Sequence, residues 1–170
     1  SRLRFFDVET ENYLAGKTVD WYDAVMQKGV RQNYTVSVDG GTKDISYYWS
    51  LGYDNNEGVI HGDKFKSIRS RLNIDFKVND WLSLAAYSQF GDRDQSVVQA
   101  TLSQMYVMSP YGDDFDENGN AVWYPNSFAT PNPMINYYGQ QRYNRANTFF
   151  TSLQGKVKLP FGFDYKLSFQ

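Results

Sequence analysis

From Asn33 the chain alternates with period two: Tyr34, Val36 and Val38 fall on one side, and Asn33, Thr35, Ser37 and Asp39 on the other. That is the pattern of a half-buried strand. Gly40-Gly41-Thr42-Lys43 predicts a tight turn by its glycines. Ile45, Tyr47, Trp49, Leu51 and Tyr53 then alternate with Asp44, Ser46, Tyr48, Ser50 and Gly52. After a looser link, "DNNEGVIHGD", a third strand is expected, with Ile68, Leu72, Ile74, Phe76 and Val78 on one face and Arg69, Arg71, Asn73, Asp75 and Lys77 on the other. Asn79-Asp80 makes the next short turn, and Leu82, Leu84, Ala86 and Phe90 carry the apolar face onward opposite Ser83, Ala85, Tyr87 and Gln89. Alternation returns at Phe149, Thr151, Leu153, Gly155, Val157 and Leu159, and again after "PFG" at Phe163, Tyr165, Leu167 and Phe169, where the chain stops inside a strand.

The pattern is that of an all-β, antiparallel up-and-down meander of about six strands. Residues 1–30 read as loop carrying one short helix, N-capped by Asp20, running through Trp21 to Met26 and ended by Gly29. Residues 31–90 carry the first strands. Residues 91–143 have no sustained period and form one very long loop, and residues 144–170 form a last, truncated hairpin. A structureless connection of that length is usually functional or disordered. Connections alternate between short (Gly40-Gly41, Asn79-Asp80, Pro160 to Gly162) and long (Asp54 to Asp63, Gly91 to Tyr143), so short turns share one rim and long loops the other. Outer-membrane barrels have this asymmetry. Tyr53, Trp81, Phe161 and Phe163 fall near strand ends, where membrane-interface aromatic girdles belong. The alternative, a secreted β-sandwich module binding glycans through its loop aromatics, would place the same residues in a core.

Composition narrows the chemistry. The 170 residues carry a formal net charge of -2, which argues against nucleic acid as a partner. There is no cysteine, and His61, beside Gly62 and Asp63 in a loop, is the single histidine, so disulfide, thiolate and most imidazole chemistry is out of reach. His61 reads as a solvated side chain. No run of apolar residues is long enough for a membrane helix, and no initiator methionine or apolar signal segment precedes "SRLRFF". Membrane strands need only about 9 to 11 residues each, and a mean hydropathy of −0.60 passes over them.

Several blocks resemble one family. "VDWYDAV" at Val19 to Val25, "SVDGG" at Ser37 to Gly41, "YYWSLGY" at Tyr47 to Tyr53, "NNEGVI" at Asn55 to Ile60 and "RLNIDFKVNDWL" at Arg71 to Leu82 occur in order. The stretch is similar to part of the SusC/RagA family of TonB-dependent outer-membrane transporters of Bacteroidetes, with further support from "PNP" at Pro131 to Pro133 and "LPFG" at Leu159 to Gly162. The resemblance implies a barrel of about 22 strands with a plugged lumen, embedded in outer-membrane lipid. It implies import of oligosaccharides or peptides, energy delivered through TonB, a SusD-like surface lipoprotein as lid, and no catalysis or cofactor. No plug, TonB box or signal sequence stands in these residues, so the chain is expected to be one segment near the amino-terminal side of such a barrel. Alone it would leave two unpaired sheet edges, which hydrocarbon does not tolerate.

Each candidate site has two readings. Arg69, Arg71, Asp75 and Lys77 face the lumen in a barrel, either lining a solute path or pairing among themselves and with plug residues. Tyr106, Tyr111, Trp123, Tyr124, Tyr137 and Tyr138 in the long loop either stack on a ligand or grip a lid, or they pack the loop on itself. Asp114, Asp116 and Asn118, followed by Gly119, open like a calcium loop; Val122 and Pro125 at the ninth and twelfth places supply no ligand, so a turn at a loop tip is expected. Crowded on one turn, Asp113, Asp114, Asp116 and Glu117 have no way to flank a scissile glycosidic bond.

Overall fold

The computed structural model describes residues 5–126 and 130–170. The reading of residues 1–4 as loop lies outside the described residues. One six-stranded antiparallel sheet runs in sequence order, with β1 Val30–Gly41, β2 Ile45–Glu57, β3 Lys64–Lys77, β4 Leu82–Asp94, β5 Arg145–Lys158 and β6 Asp164–Phe169. No crossover interrupts the meander, and no second sheet packs on it among the described residues. The sandwich alternative needs that second sheet, because it buries an apolar face by apposing another.

The strands run farther than the hydrophobic alternation does. β2 continues past Tyr53 to Glu57, β3 begins at Lys64, β4 reaches Asp94 and β5 begins at Arg145. At the long-connection end the ladder continues with mostly polar residues, Phe65 and Ala146 apart, so the period of hydrophobicity stops where the period of hydrogen bonding does not. The boundary expected at residue 90 accordingly moves to Asp94.

Short turns follow the chemistry of their residues. Asn79 accepts hydrogen bonds at Oδ1 from the Trp81 and Leu82 amides (3.0 and 2.8 Å), an Asx turn that starts β4. The glycines of the first turn serve close approach, and β1 runs through both of them. A Cβ on Gly41 would meet the Ile45 carbonyl oxygen at 2.4 Å, and one on Gly40 would meet the Tyr47 hydroxyl at 2.7 Å. At the last turn Phe161 (φ 66) and Gly162 (φ 81) both adopt the left-handed conformation of a tight hairpin turn, closed by the Leu159 amide on the Phe163 carbonyl at 2.7 Å.

Contacts divide the chain into two units. The sheet unit comprises Gln32–Asn55, Phe65–Gln95 and Asn144–Gln170; the loop unit comprises Ser1–Arg31, Asn56–Lys64 and Ser96–Tyr143. Trp21, Val25, Ala100, Met105, Met108 and Met134 form a buried apolar cluster, and every one of them belongs to the loop unit. Its segments are stitched by backbone: His61 donates its amide to the Val25 carbonyl (2.9 Å) and accepts the Ala100 amide on its own carbonyl (2.9 Å). The Trp21 indole N–H reaches the Ser109 carbonyl at 2.8 Å.

Helical content exceeds the single short helix expected. α1 (Asp7–Ala15) stands where loop was expected. Glu9 Oε2 accepts the Phe6 amide at 2.9 Å at its start, and Gly16 (φ 71) ends it in the left-handed conformation. The face it buries carries Glu9 and Asn12, so no apolar periodicity marked it. α2 (Trp21–Val25) is capped by Asp20, which accepts the Asp23 amide at 3.1 Å. It stops before Gly29 because Met26 turns extended and bridges to Ile60. Two single turns, α3 (Leu102–Met105) and α4 (Ile135–Gly139), punctuate the long loop and deliver Met105 and Ile135 to buried positions.

Candidate functional site

Register assigns each side chain of the sheet to a face, because directly opposed residues share one. Ser70 stands opposite Phe90 and Phe90 opposite Phe149; Ile74 stands opposite Ala86 and Ala86 opposite Leu153, which opposes Phe169. These residues, with Leu72, Phe76, Leu84, Val157, Tyr165 and Leu167, make one apolar face. It is open: Ile74 is 38% exposed, Leu84 45%, Leu153 54% and Phe149 72%. On β4 the band from Leu82 to Phe90 spans about nine residues, the length a tilted strand needs to cross hydrocarbon. Beyond it the same face turns charged, where Arg145 holds Asp92 through both carboxylate oxygens.

Three serine and threonine hydroxyls fall within the apolar band of β3 to β5, and each has a partner. Trp49 Nε1 donates to Ser70 Oγ at 3.1 Å, and Ser88 Oγ lies 3.1 Å from Thr151 Oγ1, directly opposite in the register. Hydrocarbon supplies no water for an unpaired donor, so self-satisfied hydroxyls are what a lipid-facing surface requires.

The opposite face is polar and holds all four charged residues singled out on β3. Arg69 pairs with Asp54 at 2.7 Å, Asp75 accepts the Tyr87 hydroxyl at 2.7 Å, and Lys77 reaches Asp80 at 2.6 Å. None of these partners is another of the four. Arg71 engages no side chain among the described residues. Lys156 and Asp164 pair at 2.8 Å near the last turn.

In the loop unit the six candidate aromatics stay out of the buried cluster. Tyr137 and Tyr138 lie edge to face at 5.3 Å; Tyr138 reaches Phe115 (5.6 Å) and Tyr137 reaches His61 (5.8 Å), a run of four rings. Burial pushes the Tyr138 phenol above its ordinary pKa. Tyr111 belongs to a different group, with Phe5 (5.8 Å) and Tyr13 (5.4 Å). Tyr106, Trp123 and Tyr124 are exposed. The rings therefore fall into at least two groups, and the loop unit's buried cluster joins Trp21, Val25 and Ala100 to methionines that sequence reasoning passed over. Three of these, Met105, Met108 and Met134, lie among proline-rich irregular segments where no period announces burial.

The acidic turn is held by its own backbone. Asp116 Oδ1 accepts the Asn118 amide (2.9 Å) and the Asn120 amide (2.8 Å), Asp114 Oδ1 accepts the Phe115 amide (3.0 Å), and Gly119 sits at φ 80. These amides, with the Asn120 donors first, hold the Asp116 carboxyl below the usual carboxylate range. Phe115 and Ala121 bridge across the turn. Behind it Asp113 accepts from Lys17 Nζ at 2.5 Å and from Asn12 Nδ2 at 3.1 Å, which raises the Lys17 pKa. No cluster of three potential metal ligands occurs among the described residues.

A single antiparallel meander with long loops on one rim, an uncovered apolar band on one face and paired charges on the other is the wall of an outer-membrane-type β-barrel. No helix among the described residues is long and apolar enough to cross a membrane, which says nothing of crossing by strands. No protein-family model matches the chain. Among curated proteins, one TonB-dependent receptor of Formosa agariphila is 34% identical over 65 residues, 38% of this chain and 6% of that protein. Another from the same organism is 25% identical over 119 residues, covering 69% and 12%. The TonB-dependent receptor SusC of Bacteroides thetaiotaomicron is 30% identical over 61 residues, covering 36% and 6%. The solved structure of the RagAB peptide importer in its "closed-closed" state contains a chain with the same fold, at a TM-score of 0.63 and 22% identity, covering 88% of this chain and 18% of that one. The chain thus spans between 6% and 12% of the length of these curated relatives. Over these stretches the chain is similar to TonB-dependent receptors of the SusC kind from Bacteroidetes, and its fold is that of part of an outer-membrane transporter barrel.

Proposed function

We propose that this segment is wall and rim of a SusC-like transporter that imports oligosaccharides or peptides across the outer membrane together with a SusD-like lipoprotein. The observation that carries the reading is the two-faced sheet: an open apolar band whose serine and threonine hydroxyls find partners within it, backed by a face of charges and amides. The apolar face meets lipid, with Tyr53, Trp81, Phe161 and Phe163 at the interfaces. The polar face, with Arg69, Arg71, Asp75 and Lys77, is the wetted inner wall. Tyr106, Tyr111, Trp123, Tyr124, Tyr137 and Tyr138 of the long loop serve a ligand or lid. TonB engages other parts of the parent protein, and no bond is made or broken here.

Growth tests this. Deleting the parent gene should abolish growth on one class of oligosaccharide or peptide, with rescue by the intact gene and none by a version lacking its TonB-engaging segment. Unchanged growth of the deletion strain on every such nutrient would overturn the reading.

A further inference from the structure

The charges of the polar face are not evenly distributed along the strands. Toward the short turns they are lysines and aspartates: Lys77 with Asp80, Lys156 with Asp164, and Asp75 with the Tyr87 hydroxyl. Toward the long connections they are arginines. Arg69 stands opposite Gly91, Arg71 opposite Gln89, and Arg93 opposite Ser67, so the three share this face across β3 and β4. Arg69 and Arg93 are diagonal neighbours, about 7–8 Å apart by the geometry of such pairs.

Among the described residues one carboxylate answers them on this part of the face, and it is already occupied. Asp54, largely buried, takes Arg69 at 2.7 Å on one oxygen and the Asn33 amide on the other. Asp92 belongs by register to the opposite face, where Arg145 holds it. Arg71 and Arg93 therefore keep unanswered charge among the described residues.

Between them lies a hollow of about 510 Å³ whose lining includes Ser67, Arg71, Arg93 and Thr148, with Phe90 and Phe150 at its edge and Asp92, whose carboxylate Arg145 already holds. Glycine keeps its floor low: Gly91 lies opposite Arg69 on β4, and on β2 the nearest side-chain atoms to a Cβ on Gly52 would include Arg69 Nη2 at 3.8 Å. A concave wall of hydroxyls with two uncompensated guanidinium groups concentrates anions. The planar fork of arginine suits the paired oxygens of a carboxylate or sulfate.

We propose that this hollow is a selecting site for an anionic solute, with Arg71 and Arg93 gripping carboxylate or sulfate groups of the imported molecule and the hydroxyls receiving its neutral polar groups. The inference rests on the transporter reading above and adds that the cargo is acidic.

The test uses the full-length transporter in lipid nanodiscs and four probes: a tetraglucuronate and its carboxyl-reduced counterpart, and tetraglutamate and tetraglutamine. The native protein should bind one acidic probe about tenfold or more tightly than its neutral partner, with affinity falling as salt rises. Preference for the glucuronate assigns the carboxylate to a glycan, and preference for the glutamate to a peptide. In R71Q/R93Q the preference should shrink below about threefold while binding of the neutral partner is kept. If the double variant does not fold, R71Q and R93Q are measured singly, each losing part of the preference. No preference for either acidic probe in the native protein overturns the proposal. So does a preference that survives both substitutions, as expected if these arginines serve only a plug. Should charge preference be absent while the deletion strain still fails to grow on a nutrient, the inference falls and the transporter reading stands; normal growth of that strain on all nutrients removes the transporter reading itself.

Discussion

The indole N–H of Trp49 on β2 is satisfied by the hydroxyl of Ser70 on β3, 3.1 Å away, within a band lined mostly by apolar side chains. In water such an exposed bond is replaceable by solvent and worth little. In hydrocarbon it is the indole's only partner. Ser70→Ala should therefore destabilise the full-length protein in a bilayer by about 0.5–2 kcal/mol. In a double-mutant cycle with Trp49→Phe the two losses should be less than additive, read from denaturant unfolding in vesicles.

The two faces should answer differently to the same charge. Leu84→Arg, in the middle of the apolar band, is expected to cost about 2–4 kcal/mol of bilayer stability. Ala85→Arg, one residue on and facing the polar side, should cost less than about 1 kcal/mol. Unfolding from vesicles measures both.

Trp21 anchors the loop unit through burial and its bond to the Ser109 carbonyl. Trp21→Ala should destabilise that unit by about 3–5 kcal/mol. Limited proteolysis should then cut within residues 96–143 at far lower protease concentration, while the strands stay protected.

Acid should loosen the turn around Asp116. Its carboxyl is held below the ordinary carboxylate value by the amides of Asn120, Asn118 and Gly119. A group whose folded pKa is depressed contributes stability above its unfolded pKa and loses it as pH falls through the folded value. Amide exchange at Asn118 and Asn120, corrected for intrinsic rates, should accelerate in that acidic window. In Asp116→Asn the exchange should already be faster at neutral pH and show no such transition.

Phe161 carries a left-handed backbone (φ 66) while its ring is 97% exposed. That conformation costs a residue with a side chain about 1–2 kcal/mol, which suits a ring serving as an interface anchor. In a peptide covering residues 153–169, Phe161→Gly should raise the hairpin population seen by NMR. In the bilayer-embedded full-length protein the same change should lower stability, because the anchor is lost.

The strands were legible because a sheet with one apolar face repeats at period two: Tyr47, Trp49 and Leu51, or Leu82, Leu84 and Ala86, mark the face without ambiguity. Their outer ends were not, since Lys66 and Asp94 pair in the ladder where no apolar residue marks a face. α1 was missed because it buries Glu9 and Asn12, and burial satisfied by hydrogen bonds leaves no hydrophobic period. The aromatics of the long loop were visible as residues, but their grouping was not: Tyr137 and Tyr138 find Phe115 and His61 through contacts that only tertiary structure creates. Arg93 escaped notice because the expected fourth strand ended before it.

The most direct test of the central claim uses the absence of cysteine from these residues. Spin labels placed singly at each position from Leu82 to Phe90, in a full-length protein otherwise free of reactive thiols, report collision with oxygen dissolved in lipid and with a water-soluble nickel chelate. Oxygen accessibility should alternate with period two, high at Leu82, Leu84, Ala86, Ser88 and Phe90 and low at Ser83, Ala85, Tyr87 and Gln89. Uniform accessibility to the nickel chelate along the strand, or alternation in the opposite phase, would contradict the assignment of this face to lipid.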